Sequence, residues 1–301
     1  MAISEQWAQL LEPGLRQIFE VARAALVAES KIPMLFNAMT STKAAEHFLG
    51  VGAMGDWEEF KGVIAYENFD QLYKATLTHK EFVQGFIVER KLVDDDQYNI
   101  INARPRQLAL SAERTREKHA ASIFNNAFDS SYPGADAVEL CDSAHPLSPT
   151  HTADTWGNYG TSALSYDNIV ATRRLMRAFV DDRENAVPIA PDTLLVPPQL
   201  EETAWAIWRT MNKPDTADAH ANFVQGFLRR VIVWDYLTDS NNWFMIDSRL
   251  AAIHLLWIDR VALEFALDPT GDYDLQARYR GYMRYSYGFS DWRWVYGHKV
   301  T

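Results

Sequence analysis

The chain has 301 residues, 48% of them hydrophobic and 13% aromatic, a composition that supports a buried core and excludes a disordered or low-complexity protein. Its formal charge of -11 argues against a DNA reader, whose affinity depends on Lys and Arg displacing phosphate counterions. Cys141 is the single cysteine, which excludes an intrachain disulfide and a cysteine-based zinc cluster; with neither a signal peptide nor an apolar run of about 18 residues, a chain made in a cytosol and free of membrane is expected.

From Ser4 to about Glu29, Leu15, Ile18, Phe19, Ala22, Ala25 and Leu26 recur at helical spacing, and Pro13-Gly14 is expected to split off a short leading helix. Residues 30–60 read as an irregular extended segment. Over 62–92, Val63, Ala65, Tyr73, Ala75, Leu77, Phe86 and Val88 alternate with polar neighbours, which predicts a long two-stranded projection. Asp94-Asp95-Asp96 closes it as a solvated turn, a divalent-cation site being the other reading. A helix is predicted from Pro105 to Phe128, with a charged centre (113–119) and a thin apolar stripe of Leu108, Ala112, His119, Ile123 and Ala127. Such a helix bridges regions or meets other chains.

Residues 129–164 form a long polar loop, after which Ser165 is placed to cap a helix burying Ile169, Thr172, Met176 and Phe179. A second unit begins near Val187. Its expected elements are a strand at Thr193–Val196, a helix after Pro197-Pro198, and strands at 231–237, 242–247 and 253–258, together an α+β layer. From Leu275, odd positions through Tyr287 are apolar or small while Arg278, Arg280 and Arg284 share the other face, predicting a long strand with one packed and one cationic side. A further strand is expected over Trp292–Tyr296.

Phosphate-loop, dinucleotide, nucleophile-elbow and zincin motifs are all missing from the sequence. The one remaining cluster with catalytic chemistry is Cys141, His145, His151 and Asp154, which would suit a metal-dependent hydrolase; a buried thiol beside loop histidines is the plainer reading. An aromatic and arginine platform for single-stranded nucleic acid over Tyr279–Tyr296 is a third possibility, opposed by the net acidity.

The stretches STKAAEHFLG and DWEEFKG (within 41–62), YENFDQLYKATLTHKEFVQGFIVERKLVDDDQY (66–98), LCDSAHPL (140–147), APDTLLVPPQLEETAWAIW (190–208) and LTDSNNWFMID (237–247) carry a resemblance, in order and spacing, to the major capsid proteins of tailed bacteriophages. That family has the Hong Kong 97 fold, and the detail is similar to its Mu-type major head subunits. The resemblance implies an α+β fold with an N-terminal arm (1–55), an extended hairpin loop (56–92), a peripheral domain (93–186) with a spine helix (103–128), an axial domain (187–265) and returning peripheral strands (266–301). It also implies a structural, non-enzymatic subunit without cofactor or metal. Many copies would form pentamers and hexamers of an icosahedral head around double-stranded DNA, assembled in the host cytoplasm with a scaffold, a portal and a decoration protein as partners. The arm begins close to Met1, so scaffolding is expected from a separate or already removed segment, and no Lys/Asn crosslinking pair matches, so a noncovalent shell is expected. Subunit contacts are expected at Lys61, Glu67, Lys74, Lys80, Glu81, Glu89, Arg90, Glu113, Arg116, Arg278, Arg280 and Arg284.

Overall fold

The computed structural model describes residues 7–301 apart from 58, 61, 63, 65, 67, 69, 96, 151, 215–219 and 269–274. In chain order come α1 (Trp7–Glu29), α2 (Ile32–Leu35), β1 (Asn37–Thr40), β2 (Ala45–Val51), β3 (Gln71–Thr78), β4 (Lys80–Glu89), α3 (Arg90–Asp94) and α4 (Tyr98–Asn125). A loop-rich stretch follows with the two-residue strands β5 (His145–Pro146), β6 (Thr155–Trp156) and β7 (Tyr159–Gly160), then α5 (Tyr166–Met176), β8 (Thr193–Val196), α6 (Glu201–Arg209), α7 (Phe223–Phe227) and β9 (Arg230–Val233). The chain ends through β10 (Trp243–Ile246), α8 (Ser248–His254), β11 (Leu255–Asp268), β12 (Gln276–Phe289) and β13 (Val295–His298).

Two sheets organise these elements. One is four-stranded in the order β1-β11-β12-β4, and the other five-stranded in the order β7-β13-β10-β8-β9. The 14-residue β11 and β12 form the first sheet's antiparallel centre, and Ala277, Tyr279, Met283 and Tyr285 of β12 are buried on one face, as the odd-position pattern predicts. Against that face lie α4 and α1. Phe19 meets Phe265 with ring centroids 5.1 Å apart, and the Tyr279 hydroxyl donates to the Ala8 carbonyl at 2.8 Å, which pins the arm to the sheet.

The second lobe is closed from below by the far end of α4. Phe124, fully buried, meets Phe244, Trp234 and Trp294 edge-on at 5.3, 6.0 and 6.0 Å. At 1.5 Å per residue α4 spans about 42 Å, long enough to touch both sheets. Its centre is occupied by charge, and Glu113, Arg116 and Glu117 of that centre are spent within the chain. Arg116 pairs with Asp259 at 3.1 Å and lies over the Trp257 ring at 5.1 Å; Glu113 sits 3.5 Å from both Arg23 and Arg116. Glu117 accepts from the Lys31 amide at 3.1 Å, from the Ser30 hydroxyl, and from the Trp234 indole at 2.8 Å.

Several expectations change here. Pro13 does not split the arm, because α1 runs through it from Trp7. Pro105 lies inside α4 and does not begin it: the helix starts at Tyr98 and stops at Asn125, and the proline is buried against the sheet, so packing offsets the missing amide bond. Residues 30–60, expected to be irregular, hold β1 and β2. The projection is built differently from the expected 62–92 pair. β3 pairs with β2, while β4 pairs with β12, so the hairpin covers 45–78 and His79 alone separates β3 from β4. Residues 253–254 end α8 before β11 starts, and β11 joins the first sheet, whereas β13 returns to the second. The expected boundary at 265 and the final block 266–301 therefore each mix the two lobes. Trp292–Trp294 form a turn, and the last strand begins at Val295.

Glu117 makes a first expectation measurable. Replacing it with Ala leaves the buried indole N–H of Trp234 and the end of the arm without their acceptor, at a cost of about 1–3 kcal/mol. Chemical denaturation of Glu117→Ala should show that loss, while Lys118→Ala, one position along on the exposed side, should stay within about 0.5 kcal/mol of the parent. Equal stability of the two variants would contradict the joint.

Candidate assembly surfaces

The hairpin of β2 and β3 is held at its base by the Gly52 amide on the Asp70 carbonyl (2.8 Å), by the Ala53 amide on the Asp182 carboxylate (2.9 Å) and by His47 Nδ1 on the Thr76 hydroxyl (3.0 Å). Beyond that base the chain displays large apolar side chains with little around them. Trp57 is 97% exposed, Tyr66 89% and Phe60 71%, with Met54 and Ile64 also exposed. Apolar groups of this size gathered at one end of a projecting element mark an interaction surface. The loop that carries them is acidic, with Asp56 and Glu59 both exposed.

At the other end of the hairpin, His79 is buried and its Nδ1 lies 3.0 Å from the Ser286 hydroxyl of β12. Burial, with the nearby Arg284 and Arg260, holds its pKa below the ordinary histidine range against the opposite pull of Glu46. The hairpin is thus fastened to the sheet by a neutral ring.

Of the residues expected at subunit contacts, Lys74, Lys80, Glu81 and Glu89 are exposed along β3 and β4. Lys61 and Glu67 lie outside the described residues. Arg278, Arg280 and Arg284 share the outer face of β12, as the sequence pattern predicts. Arg284 is not directed wholly outward, since it lies across from Glu81 in the β12–β4 register and pairs with it at 3.8 Å. Arg90 pairs with Asp94 at 3.5 Å. Glu113 and Arg116 are both turned into the chain at the junction of α1, α4 and β11, and burial keeps the Glu113 carboxyl above its ordinary range despite the pull of Arg116 and Arg23.

A second exposed apolar group lies on the five-stranded lobe. Met211 is 81% exposed and Phe223 52%, and the Asn222 amide on the Met211 carbonyl (3.0 Å) brings their segments together. α6 ends at Arg209, and the segment that follows carries Met211 outward.

The Cys141, His145, His151 and Asp154 cluster does not converge as an active site. Cys141 is 1% exposed, and burial pushes its thiol far above the ordinary range, away from a nucleophilic thiolate. His145 Nδ1 lies 2.6 Å from Asp136, its Nε2 3.1 Å from the Asn158 side-chain oxygen, and its ring stacks on Trp292 at 4.4 Å. Asp154 is exposed, and His151 lies outside the described residues. Among the described residues no group of three or more His, Cys, Asp or Glu could hold a metal ion. What the loop does instead is structural. The Asn158 amide donates to the carbonyls of Leu140 (2.8 Å) and Val295 (3.1 Å) and its oxygen accepts from the Asp142 amide (3.0 Å), so one buried side chain ties residues 140–160 to the C-terminal segment.

The sequence reading missed the tip aromatics Trp57, Phe60 and Tyr66. Their signal was present, because large aromatics in an acidic loop punctuated by Gly52, Gly55 and Gly62 have no alternation that would bury them.

His298 supplies a pH signature for the second lobe. It stacks on Trp243 at 4.0 Å, lies 2.8 Å from the Thr172 hydroxyl through Nε2, and accepts from the Ser162 amide at Nδ1; burial lowers its pKa to about 4. An unfolded histidine titrates near 6.5, so the unfolded chain takes up the proton first. The stabilisation is complete above pH 6.5 and is lost as pH falls toward 4, up to about 3 kcal/mol. His298→Gln should lose less stability than the parent between pH 7 and pH 4.5 in matched denaturation curves, and parallel losses would refute the assignment.

Compared with known proteins, residues 74–297 match the family model described as phage capsid protein. No curated protein matches the sequence. Among solved structures, the capsid of bacteriophage JBD30 decorated with minor capsid protein trimers superposes with a TM-score of 0.57 at 14% identity, over 69% of this chain and 91% of that one. Microbacterium phage Oxtober96 gives 0.53 at 11% identity over 90% and 91%, and the capsid of a native GTA particle 0.51 at 14% over 90% and 90%. At such identities the likeness is one of fold; the family match spans about three quarters of the sequence independently.

Proposed function

The chain belongs to the phage capsid protein family and is a structural subunit of a virion shell, and from that premise we propose that its copies close into pentamers and hexamers of an icosahedral head around double-stranded DNA. The observation that carries the reading is the family match over 74–297, which spans the sheet, the long helix and the second lobe in one run. In this reading residues 45–78, most of them ahead of the matched stretch, are the extended loop that lies across a neighbouring subunit, and α4 with the four-stranded sheet is the peripheral domain. The five-stranded lobe is the axial domain, with Met211 and Phe223 directed toward the capsomer axis.

The exposed tip supports a shared interface. Burying Trp57, Phe60 and Tyr66 in a neighbour would recover about 1.5–3 kcal/mol for each ring, whereas exposed charge pairs contribute about 0–1 kcal/mol apiece and act mainly on register and orientation. A scaffold protein and a portal complete the assembly, which takes place in the host cytoplasm. A decorating protein, like the minor capsid protein trimers on the JBD30 capsid, would sit on the outer surface.

Electron microscopy and sedimentation of the purified full-length chain, alone and with the scaffold, should reveal large closed particles. Replacing residues 54–66 with a short Gly-Ser turn should leave a folded chain with an unchanged melting transition and no particles. A compact monomer under every condition tried would overturn the shell reading.

A further inference from the structure

Gly281 has no backbone reason to be glycine. It lies in the buried row of β12 between Tyr279 and Met283, and its φ is not in the left-handed region. A Cβ there would sit 3.6 Å from Leu108 and from Leu263, an ordinary contact. Gly85 on the facing strand is the contrast, since a Cβ at that position would come within 2.6 Å of the Tyr279 carbonyl. A strand-interior glycine gives up packing and entropy, about 0.5–1 kcal/mol relative to alanine, and marks places where something else approaches.

Space is what this one leaves. Between β4 and α4 runs a half-open apolar groove of about 300 Å³, lined by Val83, Leu108, Ala112, Leu263 and Met283 with Gly281 at its floor. Its mouth lies along β4, the outer strand of the sheet, and Val83 there is 63% exposed. One polar bridge crosses it, the Ser111 hydroxyl donating to the Gln84 side chain at 2.7 Å. On α4, Arg104 is one turn from Leu108, Arg114 one turn from Ser111, and Lys118 one turn from Arg114; all three are exposed, as is Lys80 at the start of β4. Glu81, paired with Arg284, is the one carboxylate in the lining.

We propose that this groove is the socket for the hairpin tip of a second copy of the chain, with Trp57 entering between β4 and α4 over Gly281. The proposal rests on the shell reading and names the surface it uses. Three features favour the second copy. Trp57 is 97% exposed at the end of a projecting hairpin. The groove, about 300 Å³, is walled mainly by apolar side chains, with Gln84 and Thr115 beside them. The charges are complementary, because residues 56–67 carry Asp56, Glu58, Glu59 and Glu67 against Lys61 alone, while Arg104, Arg114, Lys118 and Lys80 flank the groove.

Filling the socket and pulling the plug test it from both sides. Gly281→Leu occupies the groove from within the chain, and Trp57→Ala removes the ring. Both variants should melt like the parent and lower the fraction sedimenting as particles more than tenfold, while Gly281→Ala, whose Cβ fits, should assemble normally. Because Cys141 is buried, a chain carrying Asp56→Cys on the tip and Thr115→Cys in the groove lining, with Trp57 kept, has two thiols that the docked tip brings together. In assembled particles a short bis-maleimide should link it into a ladder of covalent multimers, with each single variant giving dimers at most. Particles from the double variant that yield no ladder would overturn the proposal, and if that variant does not assemble, normal particles from Gly281→Leu would do so. If a small apolar molecule and not the tip is the occupant, Trp57→Ala assembles fully, and the proposal also fails. Absence of particles from the parent chain itself would instead count against the shell reading.

Discussion

One carboxylate joins three parts of the subunit. Glu117 lies on the helix shared by both lobes and accepts from the end of the N-terminal arm on one side and from the Trp234 indole on the other. The arm, the helix and the second lobe are therefore fixed at one point, and the neighbouring charges Arg116, Glu113, Arg23 and Asp259 extend that point into a buried network reaching α1 and β11. Buried ion pairs of this kind are weak sources of net stability, because desolvation offsets attraction, but breaking one leaves an uncompensated charge. Their effect is to fix one relative placement of the lobes.

A rigid body of this kind matters because the hairpin attached to it is not self-sufficient. An isolated two-stranded ribbon is marginal in water, and this one is joined to the sheet by His79 on one strand and by the short segment 41–44 on the other. Its order comes from its base: His79 on Ser286, Ala53 on Asp182, and Leu77 packed against the bare backbone of Gly288. At the tip Trp57, Phe60 and Tyr66 stand largely exposed. A body with a fixed frame and a projecting apolar end is a shape that completes its burial only against another molecule.

Much of this was legible in the sequence. Ser165 caps its helix, Thr193–Val196 is a strand, and the odd residues of β12 are its packed face, because capping and alternation are local signals. Pairing partners were not legible. The run from Gln71 to Glu89 reads as one two-stranded unit, yet its halves belong to different sheets, and only long-range register decides that. The charged centre of α4 misled for a related reason: ERTREKH looks solvated until Asp259, Arg23 and Trp234, each distant in sequence, are brought to it. The Cys141 and His145 loop looked reactive because sequence shows which groups are present and not that Asn158 and Asp136 already occupy them.

The division between apolar and charged contacts now has a physical order. Glu113, Arg116 and Glu117 of α4 are committed internally, and the outer charges, on β3, β4 and the exposed side of α4, are spread over extended surfaces where water and salt screen them within roughly 10 Å. They can steer approach and penalise wrong registers, but they cannot supply most of the adhesion. That falls to a few rings at the end of a hairpin, which are few enough for each contact to stay weak and reversible. Weak individual contacts repeated many times allow misplaced subunits to leave before a shell closes, while the anchors at His79 and Asp182 keep the hairpin aimed from the body that Glu117 helps to fix.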